Sequence, residues 1–253
     1  FGKIAANHCL SDIFAMGATP QTALAVVTLP LAAAQKMRND LVQLMSGALE
    51  VFAAEQTAVV GGHTNEGAEL SLGFAINGYI DPAHLSRKSG AKPADQLIVS
   101  KPLGTGVLFA AEMRGKAKSR WVESAILSML QSNGPAAKCL REFNASAITD
   151  ITGFGLVGHL LEMLRASGVN ATIELNRLPL FEGAATLAAD GIVSSLHNDN
   201  RRVESKMRMT ALHAQSPQYP LCFDPQTSGG LVASVPAEFA EACVVKLHQL
   251  GFD

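Results

Sequence analysis

These 253 residues contain no block of like charge, no apolar run of membrane-spanning length and no paired-cysteine motif. Each absence excludes something. Lys and Arg number 20 against 22 Asp and Glu, a formal net charge of −2, and neither sign is clustered. A surface that grips a phosphate backbone needs concentrated cations, so nucleic acid is not an expected partner. Arg201-Arg202 and the scattered Lys116, Lys118 and Arg120 read as solvated faces. The four cysteines, Cys9, Cys139, Cys222 and Cys243, lie far apart, without the C-x-x-C spacing of a zinc or redox site. Buried structural thiols in a reducing, cytoplasmic setting are the expectation for them. No export signal is visible, and no membrane partner is expected. Internal repeats and low-complexity tracts are missing too. What is present is 48% hydrophobic and 17% charged residues, the balance of a globular chain with room for one or two domains. The chain opens Phe1-Gly2-Lys3 without a methionine and closes on Gly251-Phe252-Asp253 as if entering a strand, so a fragment of a longer protein is expected.

Hydrophobic periodicity alternates between helix and strand. Residues 3–16 read as a helix with Ile4, Leu10, Ile13 and Met16 apolar and Gly17 as its stop; His8 and Asp12, spaced i and i+4, share one face. A strand follows from Thr22 to Leu29, then a long helix over residues 33–55 with Met37, Leu41, Leu44, Met45 and Phe52 inward. Ala58-Val59-Val60 reads as a short strand entering a Gly61-Gly62-His63-Thr64 turn, and Leu70 to Ile80 as another strand. Residues 81–95 are polar and broken by Pro and Gly, which divides the chain into domains at 1–83 and 94–253. Beyond them come a strand at Gln96-Leu97-Ile98-Val99, helices up to residue 143, a strand at Ser146-Ala147-Ile148 and a helix over 156–167. A strand-like Ala171-Thr172-Ile173 ending on Glu174 follows, then an irregular stretch over 191–220, a strand from Leu231 to Val235 and a helix from Pro236. The alternation predicts an α/β (or α+β) fold.

The run Thr149-Asp150-Ile-Thr-Gly-Phe-Gly-Leu-Val-Gly-His159 carries the most chemistry. Its glycines at 153, 155 and 158 sit where a strand ends and a helix begins, a place whose free N–H groups and helix dipole suit phosphate. Asp150 adds a carboxylate there. Carboxylate and phosphate repel unless a cation lies between them, so the pairing points to Mg2+. The same glycines also spell G-x-G-x-x-G, with Glu174 at the offset of a ribose-binding acid in a dinucleotide fold. A purely structural glycine turn is the third reading. From this motif alone all three stay open.

Three other segments stand out: Ser11-Asp12-Ile-Phe-Ala-Met-Gly17, Gly61-Gly62-His63-Thr64 and Asp224-Pro-Gln-Thr-Ser-Gly-Gly230. Each has a plain reading, as an exposed helix acid, a loop, and a turn in which Thr227 or Ser228 caps a backbone N–H. Taken in order with the 149–159 run, the set resembles the selenophosphate synthetase (selenide, water dikinase) family, within the wider group of aminoimidazole-ribotide-synthetase-like ATP-using enzymes. The resemblance spans essentially the whole chain and reduces the G-x-G-x-x-G to a coincidence. Other enzymes of that superfamily, such as an amidine ligase or a thiamine-phosphate kinase, fit the 149–159 and 224–230 runs less well.

What the resemblance implies is an ATP-dependent synthesis of selenophosphate from selenide, releasing AMP and orthophosphate, for use in selenocysteine and selenouridine synthesis. It implies a two-domain fold, mixed sheets covered by helices, and a homodimer in which the N-terminal domains share a β-barrel. Carried over by motif, Asp12 and Asp150 are metal ligands for Mg2+, with Asp12 also near the nucleotide; Gly62, His63 and Thr64 contact ATP. The family's nucleophilic cysteine or selenocysteine and its lysine belong upstream of Phe1. No catalytic residue is therefore assigned within 1–253, and the fragment alone is expected to be inactive. His8 departs from the family, which commonly has Asn there; a neutral imidazole could orient Asp12. His159 reads as a packed or capping histidine, Lys101 as a surface lysine at a strand end, and Trp121 as core.

Overall fold

A computed structural model describes residues 1–208 and 211–252. The chain runs α1 (Gly2–Ala15), β1 (Thr19–Pro30), α2 (Ala34–Ala54), β2 (Ala58–Gly67), β3 (Ser71–Tyr79), β4 (Gln96–Val99), α3 (Thr105–Glu112), α4 (Ser119–Leu130) and α5 (Gly134–Glu142). It continues with β5 (Ala147–Asp150), α6 (Gly155–Ser167), the short α7 (Ala184–Ala189), α8 (His197–Asn200) and α9 (Ala211–Ala214), then β6 (Leu231–Val235) and α10 (Ala237–Gln249). Residues 209 and 210, inside the stretch expected to be irregular, lie outside the described residues, as does Asp253 of the closing Gly251-Phe252-Asp253. No helix among the described residues is long and apolar enough to cross a membrane.

Two sheets result, the first mixed and the second antiparallel. In the first the order is β2-β1-β3, with β2 parallel to β1 and β3 antiparallel. The parallel pair follows from α2, a 21-residue crossover between β1 and β2; parallel neighbours cannot be joined by a tight turn. In the second the order is β4-β6-β5, both neighbours antiparallel to β6. Alternation along β1 buries Ala23, Ala25, Val27 and Leu29 and exposes Leu24 and Val26.

One apolar core joins the two sheets. Leu10 and Phe14 of α1 and Phe52 of α2 meet Ile98, Leu140, Ile148, Leu231 and Val235. Phe52 also sets its edge against Phe74 of β3, with ring centroids 4.8 Å apart. Polar ties follow the same seam: Asn7 Nδ2 donates to Leu130 O at 2.8 Å, and Arg141 Nη1 to Gly17 O at 2.8 Å.

Three local expectations need correction. Gly61-Gly62-His63-Thr64 is no turn; it lies inside β2, opposite Leu24 to Val27 of β1. The two glycines read as a break, but they serve close approach, because a Cβ on Gly62 would stand 2.1 Å from Ala25 O. The strand at 146–148 is shifted, so that Thr149 and Asp150 form its buried end. Ala171-Thr172-Ile173 is not a strand; among the described residues no neighbour pairs with it, and Glu174 precedes a 3-10 turn over Leu175–Arg177.

Because the Gly62 contact is backbone to backbone, Gly62→Ala is expected to destabilise the fold by about 1–3 kcal/mol. Gly73→Ala, where a Cβ meets nothing within 4 Å, should change little. Urea midpoints of the two variants test this, and equal midpoints would remove the close-approach explanation.

Candidate functional site

Two elements place the acids. In α1, Ala6, Leu10 and Phe14 recur at helical spacing and are buried, which turns Ser11 and Asp12 toward the end of β5. Asp12 is exposed, whereas Asp150, the last residue of β5, is buried. Burial, and next the Asp12 carboxylate, push the Asp150 carboxyl up to about 6. The Lys88 ammonium and the Ser11 hydroxyl act the other way. The structure therefore brings Asp12 and Asp150 to bear on each other, and the repulsion between them outweighs the pull of Lys88.

The surroundings suit an anion. No side chain caps α6; Gly155 N donates to Thr152 O at 3.0 Å, and the N–H groups that follow it in the first turn have no side-chain acceptor. Gly155 enters that helix at φ +68, with Phe223 C only 2.8 Å from where a Cβ would stand, so glycine is required there. His159 shares its Nε2 with the Thr152 hydroxyl at 3.1 Å, and burial lowers its pKa. It is the packed histidine expected.

His8 has a partner that the sequence does not show. Its Nδ1 accepts from Ser228 N at 3.0 Å, so the imidazole holds the 224–230 run. Burial lowers its pKa against the opposing pull of Asp12, which keeps the acceptor nitrogen free of a proton.

That run is no simple turn. Asp224 is fully buried; its Oδ2 accepts from Gly106 N at 2.9 Å and Gln226 Nε2 at 3.0 Å, while Oδ1 has no hydrogen-bond partner among the described residues. Burial pushes its carboxyl up to about 7. Gln226 Oε1 accepts from Gly104 N at 3.1 Å, Thr105 N at 3.2 Å and the Thr105 hydroxyl at 3.1 Å. Ser228, at φ +47, donates its hydroxyl to Met129 O at 2.8 Å. Asn133 Nδ2 donates to Gly229 O at 2.8 Å and to Ser11 Oγ at 2.9 Å. Gly230 O accepts from Ile151 N at 2.8 Å.

Lys101 also corrects the sequence reading. It is 1% exposed, not a surface lysine, with Nζ donating to Gln131 O at 2.7 Å and Ser228 O at 3.3 Å. Burial lowers its pKa to about 7. Its position at a strand end concealed the reason, which is a pair of carbonyls from segments distant in sequence.

Gly62, His63 and Thr64 lie exposed on β2 and make no side-chain hydrogen bond to Asp12 or Asp150. Among the described residues no cluster of three or more His, Cys, Asp or Glu stands ready for a metal. Ser11, Asn133, Gln226 and Lys101 were missed as site supports, although Ser11 and Gln226 lie within the quoted motifs.

A two-sheet α/β fold with a carboxylate pair at the foot of a glycine-rich helix entrance defines the class, and comparison with known proteins agrees. Residues 1–80 match the AIR synthase related protein, N-terminal domain, and residues 92–253 its C-terminal domain. The chain is 40% identical to selenide, water dikinase of Geobacter metallireducens over 251 residues, 99% of this chain and 72% of that protein. It is 36% identical to the Clostridioides difficile enzyme of the same name, covering 99% and 71%. The chain belongs to the selenide, water dikinase family. Solved structures share the fold alone: thiamine-monophosphate kinase from Stenotrophomonas maltophilia superposes with a TM-score of 0.72 at 20% identity, over 100% of this chain and 74% of that one. Escherichia coli HypE gives 0.72 at 20% identity, over 98% and 68%.

A carboxyl whose folded pKa exceeds its unfolded value binds its proton more tightly in the folded state, so its contribution is lost as pH rises. For Asp224 that loss falls between its ordinary value of 3.8 and about 7. Asp224→Asn, which keeps the shape and never ionises, should gain stability relative to wild type across this window. Denaturation at a series of pH values checks it; a constant difference between the curves would show that Asp224 does not titrate there.

Proposed function

We propose that this chain takes part in ATP-dependent synthesis of selenophosphate from selenide, with AMP and orthophosphate as the other products. The observation that carries the reading is the Asp12–Asp150 pair beside an uncapped, glycine-rich helix start. A buried acid held up to about 6 partly by its neighbour's charge is a place a cation would stabilise. Asp12 and Asp150 would hold Mg2+, which commonly takes one or two carboxylates and completes its shell with phosphate oxygens and water. Bound there, Mg2+ would supply neutralisation of polyphosphate charge. The chain's own contribution is positioning: α1 and β5 fix the acids, and α6 offers N–H groups to phosphate. Gly62, His63 and Thr64 would contact the nucleotide from the exposed face of β2.

None of the four cysteines suits nucleophilic attack, which needs a thiolate. Burial raises the thiols of Cys9 and Cys139, and pushes those of Cys222 and Cys243 up to about 12. The nucleophile is accordingly assigned to no residue of 1–253. The two domains are assigned to 1–83 and 94–253, and the reaction to the cytoplasm, with the product serving selenocysteine and selenouridine synthesis. A homodimer through the N-terminal domain is supported by Leu24, Val26 and Val60, which expose large apolar side chains on the outer face of β1 and β2.

Asp150→Asn removes charge and keeps shape. It should weaken MgATP binding by about tenfold or more, without moving the unfolding midpoint downward. Asp12→Asn should act in the same direction, and the double variant should lose less than the sum if both hold one metal. Calorimetric titration reads this; unchanged MgATP affinity in Asp150→Asn would dismiss it as a ligand.

Turnover separates the residues present from the nucleophile. Phosphorus NMR of residues 1–253 with MgATP and selenide is expected to show ATP unchanged. A selenophosphate signal would mean that a thiol of this chain can serve, with Cys9, the only one not fully buried, as the first to replace.

A further inference from the structure

A cavity of about 680 Å3 opens between the connection after β3 and helix α5. It reaches Ala147, where β5 begins, at the opposite end of that strand from Asp150. Arg87, Lys138 and Arg141 line it against a single carboxylate, Glu142. In a chain of net charge −2 this excess of cations is local, not a sample of the average surface.

One cation is held by hydrogen bonds, and the charge of the other two is not spent. Arg87 and Lys138 are exposed, and neither belongs to an ion pair among the described residues. Arg87 is anchored through its backbone, since its carbonyl accepts from Ile148 N of β5 at 3.2 Å. Half-buried Arg141 donates Nη1 to Gly17 O at 2.8 Å and Nε to Ala137 O at 3.4 Å, which fixes the guanidinium plane while Nη2 makes neither bond. Cations gathered in a concave wall repel one another and draw in an anion, because the protein side excludes water from part of the field. Guanidinium groups present paired N–H donors that match phosphate oxygens, and an ammonium adds a point charge.

Size narrows the ligand. The volume falls in the range of small-molecule sites, well above what a bare inorganic ion fills. Ser89 and Asn144 add neutral polar groups to the lining, and Leu85 and Ala145 an apolar part. We propose that this cavity binds a phosphate-bearing small molecule, at a site separate from the Asp12–Asp150 pair. The phosphate sits on Arg87, Lys138 and Arg141, and the organic body lies along Leu85 and Ala145. This site does not depend on the reaction assigned to the carboxylate pair.

The test is calorimetric titration of the full chain with AMP, pyrophosphate and uncharged adenosine, at low salt and without Mg2+. Saturable binding of AMP and pyrophosphate is expected, with adenosine much weaker. The Arg87→Ala, Lys138→Ala double variant, altered only at exposed positions, should lose about tenfold or more in affinity for both anions. Asp150→Asn should bind them as the wild type does. Equal affinity in the double variant, no saturable heat, or loss of anion binding in Asp150→Asn with retention in the double variant would each overturn the site. Adenosine binding as tightly as AMP would overturn its assignment to phosphate. A failed MgATP titration at Asp150 leaves these outcomes unaffected, so the two proposals fall separately.

Discussion

The buried polar run from Asp224 to Gly230 is the constraint on which the arrangement depends. It touches the start of α3 through Asp224 and Gln226, the end of α4 through Ser228, α1 through His8, and the residue after β5 through Gly230. A single hydrogen bond adds only about 0.5–1.5 kcal/mol net. Losing one partner in the interior is worse, at about 1–3 kcal/mol for the group left unsatisfied. The run is held by that asymmetry. The bonds of Gln226 to Gly104 N, of Ser228 to Met129 O and of Asn133 to Gly229 O are buried, so the segments they join cannot part without orphaning a polar group. Asn133 completes the link by joining Gly229 O to Ser11, next in sequence to Asp12.

The consequence for function is geometric. Asp12 stands on a helix and Asp150 ends a strand, and the two come from opposite halves of the chain. Apolar packing of Leu10 and Phe14 on Leu140, Ile148 and Leu231 brings the halves together. Such contacts are non-directional, however, and tolerate small shifts of a helix along its axis. The directional bonds of the 224–230 run remove that freedom. Asp224 within the run and Lys101 beside it are each pushed toward the uncharged form by burial.

Much of this was legible in the sequence, for reasons that differ by element. The long α2 and β1 announce themselves by period, because Leu44 and Phe52, or Ala23, Ala25, Val27 and Leu29, recur at the spacing their structure requires. The Asp12 and Asp150 motifs were visible because short glycine-rich runs beside an acid are chemically unusual. Other features were hidden. Gly62 looks like punctuation in one dimension and becomes a point of close approach only when Ala25 lies across from it. Lys101 carries nothing local to mark it as buried, since its partners lie 30 and 127 residues away. His8 shares a helical face with Asp12, yet its bond goes to Ser228, 220 residues on. Side chains whose partners are remote in sequence escape a reading built on local pattern.

Amide hydrogen exchange tests the central claim most directly, read at Ser228 N–H and Ile151 N–H. These two donors hold the run to His8 and to the strand that carries Asp150. If the brace is a cooperative part of the fold, both amides exchange only through global unfolding, with protection that falls in step with global stability as denaturant is added. Exchange of Ser228 through a low-energy local opening, insensitive to denaturant while core amides of β6 stay protected, would show a loose loop and contradict the account.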